Sequence, residues 1–237
     1  SAITAGLAKG MSIEDAVKLI ESTPAEKDVV SKVSCRKRWY SRTPNHKYDV
    51  VVVDCGVKRA IIEELNRREC NVIIVPYNTP IEEIRAFNPH GIFISNGPGS
   101  PTDLPQVIEL IKALRGELPM MGISLGHLLI GMAYGATVES VEGGNRASAR
   151  PIRNAITNRI EMTGMSMEYT IAKDVESKTN LTITHTNVLD GSVVGVECRK
   201  DKVFSVQFHP EGAPGATNDS AYLFDKFIKL MEDSKNA

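Results

Sequence analysis

Three residues far apart in the chain have the types and settings of a hydrolytic triad: Ser124, His209 and Glu211. Ser124 lies in Pro119-Met-Met-Gly-Ile-Ser-Leu-Gly-His127, which reads as a short buried strand, a sharp turn and a glycine-lined helix start. A nucleophile at such a strand-to-helix turn projects its side chain above the sheet. His209 and Glu211 close the stretch Val203-Phe-Ser-Val-Gln-Phe-His-Pro-Glu211, where an imidazole and a carboxylate two residues apart follow a strand. Nucleophile, base and orienting carboxylate are the parts of acyl-transfer chemistry. Asn96-Gly-Pro-Gly99 adds a turn whose glycines allow close backbone approach to a ligand. Gly97 and Gly99, with the Leu125 N–H, could form an oxyanion hole.

These groups need elements that bring them together. From Tyr48 strand-sized apolar runs alternate with amphipathic ones. The pattern predicts strands at Asp49–Val53, Asn71–Val75, Gly91–Ser95 and Pro119–Gly122, with helices at Val57–Arg68, Ile81–Ala86 and Asp103–Leu114. Such a run argues an α/β fold with a mainly parallel sheet and helices on both faces. After Ala136 short alternating strands follow, near Ala136–Val141, Ala149–Arg153, Arg159–Thr163, Leu181–His185 and Val193–Cys198. They predict a small antiparallel side sheet, after which Val203–Phe208 rejoins the main one. Ser220–Met231 is expected as a closing amphipathic helix, with Leu223, Phe227, Leu230 and Met231 inward. In open α/β sheets the reactive groups sit at the carboxyl ends of strands. Asp54-Cys-Gly, Ser95-Asn-Gly-Pro-Gly, the Ser124 turn and His209-Pro-Glu all fall at such ends.

The 237 residues suffice for one large domain, expected over 48–237, preceded by a helix and linker over 1–47. Ser12, with Asp15 three residues on, predicts a helix start, and Ile13, Ala16, Val17 and Ile20 share one face. The linker carries Lys32, Arg36, Lys37, Arg38, Arg42 and Lys47, read as a solvated stretch or as a contact for an acidic partner. A net charge of −1 implies no general attraction to nucleic acid or membrane surfaces. No apolar run is long enough to span a bilayer. The chain starts without Met, which suggests a fragment, and no signal peptide is visible. Cys35, Cys55, Cys70 and Cys198 are too widely spaced for a zinc site, so the expectation is reduced thiols, a cytoplasmic protein and no metal or cofactor.

Asn96-Gly-Pro-Gly99, Gly122-Ile-Ser-Leu-Gly-His127 and Phe208-His-Pro-Glu211 resemble class I glutamine amidotransferases. The likeness is greatest to the C-terminal glutaminase domain of the carbamoyl phosphate synthetase small subunit. It extends through Val52-Val-Asp-Cys-Gly-Val-Lys58, Ile74-Val-Pro-Tyr-Asn-Thr79, Asn88-Pro-His-Gly91 and Tyr222-Leu-Phe-Asp225, and so covers residues 48–233. Residues 1–47 resemble the segment joining that domain to the family's N-terminal domain. The resemblance implies a flavodoxin-like fold and, as partner, the carbamoyl phosphate synthetase large subunit, in pyrimidine or arginine biosynthesis. It implies a nucleophile that attacks the glutamine amide, a His that takes its proton and a Glu that orients the His, with ammonia passed on through a tunnel. By position these are Ser124, His209 and Glu211, with Gly97, Gly99 and Leu125 around the substrate and oxyanion.

The chain departs from the family pattern at the residues that matter for glutamine. Ser124 stands where the family has Cys. A thiol of pKa about 8.5 ionises beside an imidazole and a hydroxyl does not. Leu128 replaces a Gln that contacts the bound substrate, and unpaired polar groups in a site are costly. The family's Gln-Asn-His-Gly-aromatic stretch reads Met165-Ser-Met-Glu-Tyr169, with Ser166 for Asn and Glu168 for Gly; only the aromatic Tyr169 is kept. Ala149-Arg150-Pro151 likewise replaces an Asn-His-Pro pattern. An engineered Cys→Ser change would account for Ser124 alone. The joint changes predict a subunit that has lost glutamine hydrolysis and acts as structural or regulatory partner of an ammonia-using synthetase. Two rivals stay open: a working glutaminase, and a serine hydrolase of another amide or ester with Glu168 selecting a cationic substrate. Elsewhere Cys55 is expected as a buried filler, His127 as a structural hydrogen-bonding residue and His185 as a surface residue. Met162, Met165 and Met167 are expected in the core or an interface, and His46 and His90 in loops without a role.

Overall fold

A computed structural model describes residues 10–22, 27–212 and 220–235. The first nine residues of the lead-in and 23–26 of the linker lie outside them. Five strands form the parallel core: β2 (Tyr48–Asp54), β3 (Cys70–Pro76), β4 (Gly91–Ile94), β5 (Met120–Ile123) and β10 (Val203–Val206). Their order across the sheet is β3-β2-β4-β5-β10. This is the doubly wound order in which chain direction across the sheet reverses between β2 and β4, opening a crevice at the strands' carboxyl ends. β1 (Trp39–Ser41) caps the β3 edge antiparallel, so the stretch read as linker also contributes a strand.

Alternation along the strands builds a core on each face. Val50 and Val52 pack with Ile61 and Leu65 of α3 (Arg59–Arg67) and with Leu223, Phe224 and Phe227 of α8 (Tyr222–Lys235). Val51 and Val53 point the other way, onto Ile84 of α4 (Ile81–Ala86), Val107 and Ile111 of α5 (Pro105–Leu114), and Leu129 of α6 (Leu125–Ala133). The helix expected from Asp103 starts two residues later. Pro101–Asp103 forms a separate 3-10 turn, and Pro105, without an N–H, sits at the first turn where none is needed.

The antiparallel strands are continuous with the main sheet rather than apart from it, because β9 (Val193–Cys198) pairs with β10. Two strands expected near Ala136–Val141 and Ala149–Arg153 are one, β6 (Val138–Asn154), paired with β7 (Ile160–Ile171). Register shifts between Ser140 and Asn145 and between Ala147 and Arg150 break its alternation, and Gly144 takes a positive φ of 65° there. Such bulges hide one long strand from a period-two reading. β8 (Thr182–Asn187) joins β6 to β9. A short α7 (Val175–Lys178) follows β7.

Before the domain, Ser12 Oγ accepts the Asp15 N–H at 3.1 Å and starts α1 (Ile13–Ser22) as expected. Of its apolar face only Ala16 is buried; Ile13, Val17 and Ile20 stay exposed. The next segment forms α2 (Val30–Val33) and docks on the crevice, where Asp54 accepts the Cys35 N–H at 2.8 Å. Part of the basic cluster is paired within the fold, Arg38 with Glu83 and Lys47 with Glu69. Among the described residues no helix is long and apolar enough to cross a membrane.

Candidate active site

Ser124 sits at the turn between β5 and α6, with φ 56° and ψ −110°. That backbone is strained for any residue with a Cβ. It is held on both sides: Ser124 N–H donates to the Val206 carbonyl at 2.9 Å, and the Ser124 carbonyl accepts the His127 N–H at 3.0 Å. Glycines make the turn tight. A Cβ on Gly126 would lie 2.2 Å from the Ile94 carbonyl oxygen, and one on Gly122 2.6 Å from Ile130 Cδ1. His127 is fully buried with Nδ1 2.9 Å from Ser205 Oγ, the structural role expected of it. Burial drags its pKa down to about 3.

His209 and Glu211 follow β10, and both are nine-tenths buried. Nδ1 of the imidazole is 2.7 Å from Glu211 Oε1. Lys58, from the segment between β2 and α3, places Nζ 3.2 Å from that oxygen and 3.2 Å from Nδ1. An ammonium has only protons to give, so the consistent assignment has Nδ1–H and Nζ–H both donating to Glu211. Burial alone would raise the Glu211 carboxyl, but the His209 hydrogen bond and the charges of His209 and Lys58 hold it below its usual value. Among the described residues no hydrogen bond joins Ser124 Oγ to the His209 ring.

Ser124 opens into a pocket of about 270 Å³, at the lower edge of the ~300–1,000 Å³ of small-molecule sites. Gly97, Gly99, Leu125, Leu128, Ser166, Glu168 and Tyr169 all line it, so every substrate-side residue singled out in the sequence converges here. His209 and Glu211 are not among its lining residues. Gly97 is obligatory, since a Cβ would stand 2.1 Å from the Cys55 carbonyl oxygen. The Leu125 N–H, at the first position of α6, has no acceptor among the described residues. Leu128 turns one wall apolar and packs with Ala136, Ile171 and Val193. Ser166 and Glu168 are exposed on β7.

Three wall or base residues escaped the sequence reading: Lys58, Met167 and Gln207. Lys58 ends one of the stretches that carry the resemblance, and a cation just past the first strand was the available signal. Gln207 is 2% exposed and its Oε1 has no partner among the described residues. Its place two residues before His209 carried no signal of its own. His185 corrects an expectation. It is 3% exposed, not a surface residue, because its β8 position turns the ring beneath α8 and edge-on to Phe208. Met165 and Met167 are in the core, while Met162 is 40% exposed. Cys55 is fully buried and burial pushes its thiol up, which disfavours the thiolate a nucleophile needs. Among the described residues no group of three or more His, Cys, Asp or Glu could hold a metal ion.

The family model for class I glutamine amidotransferases matches residues 51–230. The chain belongs to this family. The carbamoyl phosphate synthase pyrimidine-specific small chain of Halalkalibacterium halodurans is 42% identical over 226 residues, covering 95% of this chain and 62% of that one. The corresponding small chain of Bacillus subtilis is 39% identical over 238 residues, covering 98% and 64%. The amidotransferase chain thus spans a little under two thirds of these relatives. Among solved structures, a protein from Thermoplasma acidophilum assigned to GMP synthase superposes with a TM-score of 0.68, covering 81% of this chain and 97% of that one. At 16% identity this likeness speaks for the fold alone.

Proposed function

We propose that this amidotransferase domain belongs to a carbamoyl phosphate synthetase small subunit that has lost glutamine hydrolysis. It serves as the structural or regulatory partner of a large subunit that takes free ammonia. The observation that carries this reading is the elbow itself: a hydroxyl at Ser124, without a hydrogen bond to His209 among the described residues, in a pocket walled by Leu128 and Glu168. Loss of a triad nucleophile alone costs about a millionfold in rate. Leu128 offers no hydrogen bond to a carboxamide or amino-acid head group, and Glu168 adds a carboxylate beside the place of the substrate's own.

The 2.7 Å His209–Glu211 contact favours a second reading, in which the base is intact and Ser124 serves as a slow nucleophile on glutamine or another amide. One experiment separates the two. Ammonia release from glutamine is measured with the large subunit present, for the wild type and for Ser124→Cys combined with Leu128→Gln. The first reading expects no release from the wild type and rescue in the double variant. Release by the wild type refutes it.

A further inference from the structure

Beneath the β6–β7 turn, a second cavity of about 450 Å³ is lined by Asn154, Thr157, Arg159, Ile160, Glu161 and Tyr222. It shares no lining residue with the elbow pocket. Glu161 is 8% exposed, yet among the described residues it forms no ion pair. Its donors are neutral. Asn154 Nδ2 donates to Oε1 at 3.0 Å, and the Tyr222 hydroxyl reaches Oε1 at 3.2 Å and Oε2 only at 3.5 Å. The second carboxylate oxygen therefore keeps acceptor capacity to spare.

The residues behind Tyr222 add no charge. Asn154 Nδ2 also donates to the Tyr222 oxygen at 2.8 Å, and His185 Nε2 lies 3.1 Å from it. The single phenolic proton goes to Glu161, so His185 donates Nε2–H to the oxygen and accepts the Thr184 hydroxyl at Nδ1, 2.9 Å away. Burial keeps this ring neutral, pulling its pKa down to about 4. A buried carboxylate held only by neutral donors lacks a counter-charge, which is costly to leave unmet. Arg159, the residue just before β7, also lines the cavity; it is exposed and makes no ion pair among the described residues. The cavity thus has a negative floor, a positive rim and, in Ile160, an apolar wall.

We propose that this cavity binds a small amino-acid-like zwitterion, its ammonium on Glu161 and its carboxylate on Arg159. Charge-assisted hydrogen bonds at both ends, the guanidinium bidentate on the carboxylate, give the site its selectivity. The test is calorimetric titration of the full chain with L-norleucine, hexylammonium and hexanoate, three probes of equal chain length. Norleucine binds, hexylammonium binds about tenfold more weakly and hexanoate more weakly still. The isosteric Glu161→Gln weakens norleucine at least about tenfold, and Arg159→Ala brings norleucine down to the affinity of hexylammonium. Absence of norleucine binding at concentrations of about 10 mM overturns the proposal. So does an unchanged affinity in Glu161→Gln. If Glu161→Gln fails to fold, the surface variant Arg159→Ala decides alone, and unchanged norleucine affinity there is equally fatal.

Discussion

The strained elbow makes a stability prediction that needs no substrate. Ser124 holds φ 56° and ψ −110°, a conformation that costs a residue with a Cβ about 1–3 kcal/mol. Glycine at this position has no Cβ to clash, so Ser124→Gly releases that strain. Against it stands the greater freedom of glycine in the unfolded chain, about 0.5–1 kcal/mol. The side chain itself gives up little, since Ser124 Oγ makes no hydrogen bond among the described residues. The backbone bonds from Ser124 N–H to Val206 and from His127 N–H to the Ser124 carbonyl are retained in the variant. The difference is a net stabilisation of about 1 kcal/mol. For a chain of this size that raises Tm by about 2–4 °C.

Ser124→Ala is the control, because it removes the hydroxyl and keeps the Cβ. Thermal unfolding followed by circular dichroism, with the two variants and the wild type at one pH and ionic strength, reads the result. Glycine should melt above wild type and alanine should not. If Ser124→Gly melts no higher than Ser124→Ala, the elbow stores no strain and the reasoning from its dihedrals fails.

Close packing and burial set two further outcomes. Gly97→Ala puts a Cβ 2.1 Å from the Cys55 carbonyl oxygen and 2.9 Å from Leu125 Cδ2; overpacking against backbone should cost about 3 kcal/mol or more, and a shift in the urea midpoint worth less than 1 kcal/mol (roughly, on the same scale) would rule out this packing. His127 and His185 are held neutral by burial, at about 3 and about 4 in the fold, against about 6.5 unfolded. The unfolded chain therefore binds more protons as pH falls below about 6.5, and stability drops from pH 7 to pH 5 by about 2 kcal/mol for each ring. The depressed carboxylates Glu197 and Glu211 contribute only at lower pH. The urea midpoint should fall over this window, and His185→Gln should remove about half of the fall; a flat profile contradicts the buried neutral rings.

The parallel core was legible because its strands are continuous apolar runs bounded by glycine, proline and polar residues, and Ile81–Ala86 and Val193–Cys198 run as expected. The pocket lining was legible for a different reason. Gly97, Ser124 and Tyr169 belong to motifs whose order along the chain matches the order in which strand ends reach one crevice. What escaped is what depends on geometry across the sheet. Period-two alternation cannot survive the two register shifts in β6, so one strand read as two. His185 looked isolated because its distant partners Phe208 and Tyr222 meet it only once the chain has folded. Lys58 looked like an ordinary helix-start cation until the fold set it against Glu211, 153 residues away.

The elbow and its pocket answer to different physical demands, so the proposed loss of chemistry would leave the fold whole. Gly122, Gly126 and the buried His127–Ser205 contact hold α6 against the strands, and a change at any of them meets backbone or core. Ser166 and Glu168 stand on the exposed side of β7, where a side chain meets solvent and ligand rather than the core. Leu128 goes further, since it buries its side chain with Ala136, Ile171 and Val193 and so adds apolar contact where a polar group would add none. The Leu128→Gln change would add a hydrogen-bonding group to the pocket wall at the expense of that packing. Rescue by Ser124→Cys with Leu128→Gln should therefore come with a melting temperature below that of the wild type. An active double variant as stable as the wild type would mean that Leu128 contributes nothing to the core, and that stability gave no reason for its place in the pocket.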